Sequence, residues 1–439
     1  MTPNKITGIL FSLLLFVNTG LAQRTFTDFE EFKNYAFSKS ISLQNGAIQI
    51  TEAEKAKLAS IVGIVDPQLR LSASFINNTQ LPVSLIPSEV LGGEAGTFQE
   101  VQFGLQYETN TQFHAELQLL NLLAWENLKA NKLHILNRQV EQKIRRKQLA
   151  EDIATIYYNI ILLQEQQKVT ELNLKVSDSL SQSVQVKYEQ GLLKQQNLNG
   201  AQVNKIQFEK SLKALEAKVE QQYIALKMLC DIPIDDAIKI EAHTIAETTI
   251  PSIPVDHNFL EVNQALNQEK LAFSNARRIK LERAPSLSFL FSSTNQQFNS
   301  RARLLDRNVN WIPSRYWGLQ LNLPIPTANS IARQNKAKYR QIIANNTKKQ
   351  AQQKVNQRSK QLQIDYEVAL SKRLQNAKIF ELRKDTYNRE RLNFEEGINS
   401  LDQMLDSFID MVNSNYDLVN TNVQVQLALS KIKINNTIK

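Results

Sequence analysis

From Phe113 to Gln190 the sequence contains neither a proline nor a glycine, and at about 1.5 Å per residue an unbroken helix of that extent would run roughly 115 Å. An ordinary globular domain has no room for such an element. Within the run, Leu149, Ile153, Ile156, Ile160 and Leu163 step by four and three, the spacing of a coiled-coil seam. Beyond Gly191 the residues Phe208, Leu212, Leu215, Val219, Tyr223 and Leu226 keep nearly the same rhythm, which predicts an antiparallel hairpin turning at the glycine. A second long run, from about Ile331 to Glu395, is followed after Gly397 by Leu401, Leu405, Phe408, Val412, Tyr416, Val419 and Val423 at mostly heptad steps. Two helical hairpins are therefore expected, over 113–230 and 331–432.

Ahead of each hairpin the period changes to two. Val101, Phe103, Leu105 and Tyr107 alternate with Gln102, Gly104, Gln106 and Glu108, as in a strand with one apolar and one wet face. Trp317, Leu319, Leu321 and Leu323 alternate likewise with Gly318, Gln320 and Asn322, so that Gly104-Leu105-Gln106 is answered by Gly318-Leu319-Gln320. Two proline-led strands match in the same way, Pro67 to Phe75 with Pro285 to Ser293, and so do the turns Tyr188-Glu-Gln-Gly191 and Phe394-Glu-Glu-Gly397. Three landmarks recurring in one order predict an internal duplication. The first repeat, 23–230, would hold a helix, strands 69–76 and 98–109, and a hairpin; the second, 256–439, a helix, strands 286–293 and 316–323, and a hairpin. Residues 231–255, with Pro233, Pro251 and Pro254, read as the join. Thr27-Asp-Phe-Glu30 has a capping-box pattern opening the first short helix.

Lys5, the apolar stretch Ile6 to Val17 and the small-residue exit Gly20-Leu21-Ala22 predict a cleaved signal peptide over 1–22 and hence export. A net charge of +9 raises nucleic acid as a partner, but the basic residues are scattered among glutamine, asparagine and acids, so none is expected. The single cysteine, Cys230, excludes an intrachain disulfide and reads as a small buried apolar residue. No later stretch has the roughly 18 consecutive apolar residues of a membrane-spanning helix.

Any membrane residence must therefore be by strands. Each of the four has about the length that crosses a bilayer at a tilt, with an apolar face opposite a small or polar one. Leu71, Phe75, Phe103, Leu105, Leu287, Phe289, Leu319 and Leu321 are the expected lipid-facing residues, and Trp311, Tyr316 and Trp317 lie near strand ends where an aromatic girdle would sit. A half-buried soluble sheet uses the same alternation, but would not require a long helix after each hairpin. Four strands cannot enclose a lumen, and open edges are not tolerated in lipid, so several copies must share one barrel.

These features, over nearly the whole mature chain, resemble the outer membrane factors of TolC type. The resemblance rests on the duplicated proline-led strand, the Gly-Leu-Gln strand leading to Pro324-Ile-Pro326, and the aromatic-to-glycine turns at Tyr188 to Gly191 and Phe394 to Gly397. It implies a mixed α and β membrane protein: a homotrimer sharing a 12-stranded β-barrel in the outer membrane, continued by a periplasmic α-helical coiled-coil barrel. It implies an exit duct for a tripartite efflux pump or a type I secretion system, with a periplasmic adaptor and an inner-membrane transporter as partners. By the same resemblance Gly191, Leu192, Leu193, Asn197, Gly397, Ile398 and Asn399 belong to adaptor-docking tips, and Asp402, Gln403, Asp406 and Asp410 to the periplasmic gate. The family often places an acid six positions after the glycine; here Asn197 and Gln403 stand there. Asp406 could form a threefold carboxylate ring or simply face solvent.

Two basic groups also carry two readings each, lipid contact or a solvated surface: Arg301, Arg303 and Arg307 in the loop before strand four, and Arg277, Arg278, Lys280 and Arg283 before strand three. The four histidines, His114, His134, His243 and His257, are widely spaced and fit no metal-ligand motif, and no phosphate loop or nucleophile elbow occurs. Neither an enzyme nor a cofactor is expected. The competing reading is a secreted coiled-coil scaffold or adaptor without a pore.

Overall fold

The computed structural model describes residues 24–64, 67–241, 254–303 and 310–439. The expected signal segment, much of the expected join, His243 and Arg307 lie outside them. The elements in chain order are β1 (Arg24–Phe26), α1 (Phe29–Lys39), α2 (Ile41–Val62), β2 (Gln68–Asn77), β3 (Val83–Pro87), β4 (Phe98–Gln102), β5 (Tyr107–Leu120), α3 (Leu122–Glu189) and α4 (Gln195–Leu229). They continue with β6 (Ile238–Ile240), α5 (Leu260–Leu281), β7 (Ser286–Asn299), β8 (Ile312–Asn322), α6 (Ala328–Glu395) and α7 (Leu401–Thr437). The helices α3 and α6 each contain 68 residues. Among the described residues no helix is long and apolar enough to cross a membrane.

The chain divides into two compact units, one comprising Met1–Gly46, Gln142–Glu261 and Gln352–Lys439, the other Ala47–Glu141 and Val262–Ala351. In the first, β1 and β6 pair in parallel, Arg24 with Ile238 and Phe26 with Ile240. Residues 238–240, expected in an irregular join, thus form a strand, because Ile238 and Ile240 bury their side chains on either side of exposed Lys239. Phe26, Phe32, Ile153, Ile160, Leu226 and Cys230 form one cluster about this pair. Burial pushes the Cys230 thiol up to about 12, so it is neutral and packs as a small apolar group. The Tyr223 hydroxyl accepts from the Ile240 N–H at 2.8 Å, and the Gln164 amide donates to the Ile240 carbonyl at 3.0 Å.

Two local expectations change here. The first short helix begins one residue later than the Thr27 pattern implied: Asp28 occupies the N-cap, without a side-chain capping bond. Asp231, just past α4, adopts a left-handed φ of 56°, which is costly for a residue with a Cβ. Its carboxylate accepts from the Ile41 N–H at 2.8 Å and so satisfies an orphan donor at the start of α2.

The second unit holds a four-stranded antiparallel sheet of order β2-β5-β7-β8 and a separate two-stranded ribbon, β3-β4. The expected strand 98–109 is corrected by this arrangement. Its first half, β4, pairs with β3 in the ribbon, whereas the sheet strand is β5, further along. The break falls at Gly104, whose φ of 104° is closed to other residues. Phe103 and Leu105 accordingly lie outside the sheet, and Gly104 has no structural counterpart in Gly318, which sits inside β8. The helix expected from Phe113 starts at Leu122, because Asn121 accepts from the Ala124 N–H at 3.0 Å and caps it. Similarly α6 starts at Ala328, where Ser330 and Thr327 bond each other's backbone N–H groups at 2.9 and 3.2 Å. β7 outruns the expected 286–293 because Thr294 to Asn299, polar apart from Phe298, carries no alternation to read. β8 begins before the expected Tyr316 and includes Pro313, tolerable because an edge strand needs no donor on its free side.

Candidate functional site

Strand register sorts the sheet's side chains into two faces. One face carries the rows Leu69, Ala115, Phe291, Trp317 and Leu71, Phe113, Ser293, Arg315, then Leu117, Phe289, Leu319 and, past a bulge, Leu120, Leu287, Leu321. Opposite lie Arg70, His114, Ser292, Tyr316 and Ser72, Gln112, Thr294, Ser314. Antiparallel strands with such unlike faces separate an apolar medium from water. Aromatic rings knit the apolar face: Phe113 meets Phe291 edge-on with centroids 6.2 Å apart, and Phe289 stacks on Trp317 at 6.3 Å. The same face turns polar at its other end, where Thr109 pairs with Gln297 and Thr111 with Asn295. Phe75 stacks on Tyr107 there at 5.8 Å.

Of the residues expected to face lipid, Leu71, Phe75, Leu287, Phe289, Leu319 and Leu321 share this face, while Phe103 and Leu105 are not part of it. Phe113 and Phe291 also belong to the band, as does Leu69 at the start of the first expected strand. The alternation that would have found Phe113 runs through Thr109, Thr111 and Ala115, residues as common in helices and loops. Both outer strands, β2 and β8, pair on one side only among the described residues. An unpaired row of N–H and C=O groups is left on each, and such an edge is a template for another strand.

In the first unit, α3 and α6 end in matching turns. At the first, the Gly191 N–H donates to the Tyr188 carbonyl at 2.8 Å and the Leu192 N–H to the Lys187 carbonyl at 2.9 Å; at the second, Gly397 donates to Phe394 at 3.1 Å and Ile398 to Asn393 at 2.8 Å. Both are Schellman closures, which demand left-handed backbone after the cap, and the two glycines supply φ of 75° and 78°. Each turn then presents an exposed aliphatic side chain, Leu192 at 69% and Ile398 at 68%. Beneath the turns, residues of α3, α4, α6 and α7 share one cluster: Val184, Leu198, Phe208, Phe394, Met404 and Phe408. Half-buried Leu193 packs against it, and the Lys187 ammonium lies 4.4 Å from the centre of the Phe394 ring.

The residues six positions past each glycine act on the backbone. Gln403 Oε1 accepts from the Ser400 N–H at 3.1 Å while Ser400 Oγ accepts from the Gln403 N–H at 3.3 Å, a capping box at the start of α7. Asn197 Oδ1 similarly accepts from the Lys194 N–H at 3.2 Å, and Asn399 donates to Glu390. The Ser-x-x-Gln pattern was legible in the sequence as a cap. Asp410 pairs with Arg383 at 2.7 Å, whereas Asp402 and Asp406 are exposed and form no ion pair among the described residues. Of the basic residues near the strands, Arg283 donates to Ser330 Oγ at 3.3 Å and Arg277 approaches Glu126 at 3.4 Å. Among the described residues no three His, Cys, Asp or Glu side chains are grouped so as to hold a metal.

No protein-family model and no curated protein matches the sequence. Solved structures do match the fold. The chain is similar to CusC, known from crystal structures of its transmembrane channel formation, with a TM-score of 0.74 and 15% identity over 97% of this chain and 95% of that one. A membrane protein from Pseudomonas aeruginosa gives a TM-score of 0.74 and 13% identity, covering 93% of each chain. The outer membrane protein VceC from Vibrio cholerae gives 0.68 and 14%, over 93% of this chain and 95% of that one. The chain therefore has the fold of TolC-like outer membrane channels, in agreement with the resemblance its motifs carry.

Proposed function

We propose that the protein is one protomer of a homotrimeric exit duct in the outer membrane, receiving cargo from a periplasmic adaptor and an inner-membrane pump. The observation that carries this reading is the four-stranded sheet, apolar on one face, polar on the other and open at both edges. Twelve strands from three copies remove every open edge, and closure is the only state in which such a sheet is stable in lipid. The fold shared with CusC and VceC supports the same conclusion. Leu71, Leu287, Phe289, Leu319 and Leu321 then face lipid, with Arg70, His114 and Gln112 toward the lumen. The chain is two repeats of strand pair and helical hairpin, and residues 1–22 direct its export.

In this reading the exposed Leu192 and Ile398, held by their glycine turns together with Leu193, Asn197 and Asn399, meet the adaptor. Threefold symmetry gathers Asp402 and Asp406 into carboxylate rings that favour cations. Asp410 and Gln403 support them, one held by Arg383 and the other capping α7. The decisive experiment is detergent extraction of the membrane fraction followed by cross-linking and planar-bilayer recording. A detergent-dependent trimer that conducts is expected; a water-soluble monomer without channel activity would overturn the proposal. For the gate, Asp406→Ala should lower cation selectivity, and unchanged selectivity would remove the ring.

A further inference from the structure

Within the second unit three helices line a half-open cavity of about 950 Å³. Helix α3 contributes Glu126 and Lys129 to it, α5 contributes Lys270, Phe273, Arg277 and Lys280, and α6 contributes Lys338. The α5 residues step by three, four and three, which is one helical face. Five cations therefore surround one carboxylate, and that carboxylate is already engaged: Ser274 Oγ donates to it at 2.7 Å and Arg277 lies 3.4 Å away. Lys129, Lys270, Lys280 and Lys338 form no ion pair among the described residues. A second cavity, of about 450 Å³, lies between α5 and α6 and is lined by Arg278, Arg333, Lys336 and Arg340 with no acid. Arg333 pairs with Glu282 at 2.9 Å; the other three form no ion pair among the described residues.

Scattered surface charge would not concentrate in this way in a chain with 52 basic and 43 acidic residues. Like charges lining a recess repel, and an anion placed among them is favoured well beyond its attraction to any one ammonium group. The wall is not wholly polar. Phe273, Leu133 and Ala276 face the same space, an apolar side on which a hydrocarbon chain can lie while its headgroup meets the lysines. The volume falls at the upper end of what one small organic ligand occupies, ~300–1,000 Å³.

We infer that this cavity binds an anionic, phosphate-bearing amphiphile. That chemistry has two sources, a membrane phospholipid or a soluble phosphate ester in transit. A lipid source rests on the outer-membrane reading; the preference for an anion rests on the cavity alone and survives if that reading fails.

The full-length protein in a maltoside detergent is titrated with dodecyl phosphate and, as controls, with dodecyltrimethylammonium and more maltoside. Lipid-doped micelles carrying phosphatidylglycerol or phosphatidylcholine are compared in parallel by native mass spectrometry. Dodecyl phosphate is expected to bind, with affinity falling about tenfold or more in the triple variant Lys129→Gln, Lys280→Gln, Lys338→Gln. The charge-preserving triple Lys→Arg variant should bind normally, which separates lost charge from lost fold. Retention of phosphatidylglycerol over phosphatidylcholine, abolished in the Gln variant, supports a lipid source; binding of dodecyl phosphate alone supports a soluble one. Equal binding of the cationic and anionic amphiphiles, or a Gln variant that binds like the wild type, overturns the inference.

Discussion

The sheet and the tip cluster use the same kinds of residue in opposite ways. On the sheet, Leu71 is 78% exposed, Trp317 72% and Leu319 64%, while under the glycine turns Phe408 and Met404 are fully buried. The cluster is completed by four helices of one chain and owes its stability to burial from water. Among the described residues nothing covers the outer strands of the sheet's apolar face, so its environment must come from outside. A leucine is therefore a packing residue in one region and a solvation residue in the other, and substitutions should separate the two.

The largest effect is expected at Phe408, which lies 5.2 Å from the Tyr387 ring and 5.7 Å from the Phe208 ring, centroid to centroid. Phe408→Ala removes a buried aromatic and leaves a cavity, at a cost of about 3–5 kcal/mol. Chemical denaturation followed by helix content measures it, and a loss below about 1 kcal/mol would mean that the cluster does not hold the tips together.

The contrasting change is Leu319→Arg. In a bilayer a lipid-facing arginine costs about 2–4 kcal/mol at mid-depth, whereas on a wet sheet an exposed leucine is replaced almost without cost. Comparing reconstituted vesicles with a lipid-free soluble form tests this. Equal stability of variant and wild type in lipid would place the face in water and dissolve the contrast between the regions.

A smaller effect belongs to the turns. Gly397→Ala and Gly191→Ala meet no neighbouring atom within 4 Å of the added Cβ, so only the left-handed backbone is penalised, by roughly 1–2 kcal/mol each. Hydrogen exchange near each turn should speed up while the sheet is untouched. Similar losses at the two glycines would sharpen the correspondence between the hairpins; a loss at one alone would break it.

How much of this was legible in the sequence differs between the same two regions. The helical hairpins were, because Ile153, Ile160, Phe208 and Phe408 repeat at a period that long uninterrupted helices alone sustain, and because Gly191 and Gly397 mark where it stops. The sheet was legible in kind and misplaced in detail. By alternation Gly104 reads as a small residue on a strand's wet face, although the other use of a glycine, a left-handed break, is what the backbone adopts. β5 was hidden because Thr109, Thr111 and Ala115 alternate weakly and no proline or glycine separates them from α3; the boundary is set by one asparagine, Asn121. Among the residues proposed for the gate, Gln403 stands six positions past the glycine, yet Ser400 three residues earlier already specifies a cap. The cationic cavity required three helices to be brought together, which no single stretch announces.

The smallest effect should come from the exposed ion pair between Arg383 and Asp410. Their contact is short at 2.7 Å, but both side chains remain about half exposed, at 49% and 48%. Water screens such a pair, so Asp410→Asn should cost no more than about 1 kcal/mol. Its use lies in what it does to neighbouring charge. Asp410 is paired within the protomer by Arg383, whereas Asp406 and Asp402 form no ion pair among the described residues. Removing Asp410 frees the Arg383 guanidinium on the same helical hairpin, so the variant should lower cation conductance while leaving stability nearly unchanged. The double variant Arg383→Gln with Asp410→Asn should restore conductance, since the carboxylates at Asp402 and Asp406 again face no added positive charge. If the single and double variants conduct alike, the ion pair is a surface contact only, and the acidic residues of α7 do not act together as a filter.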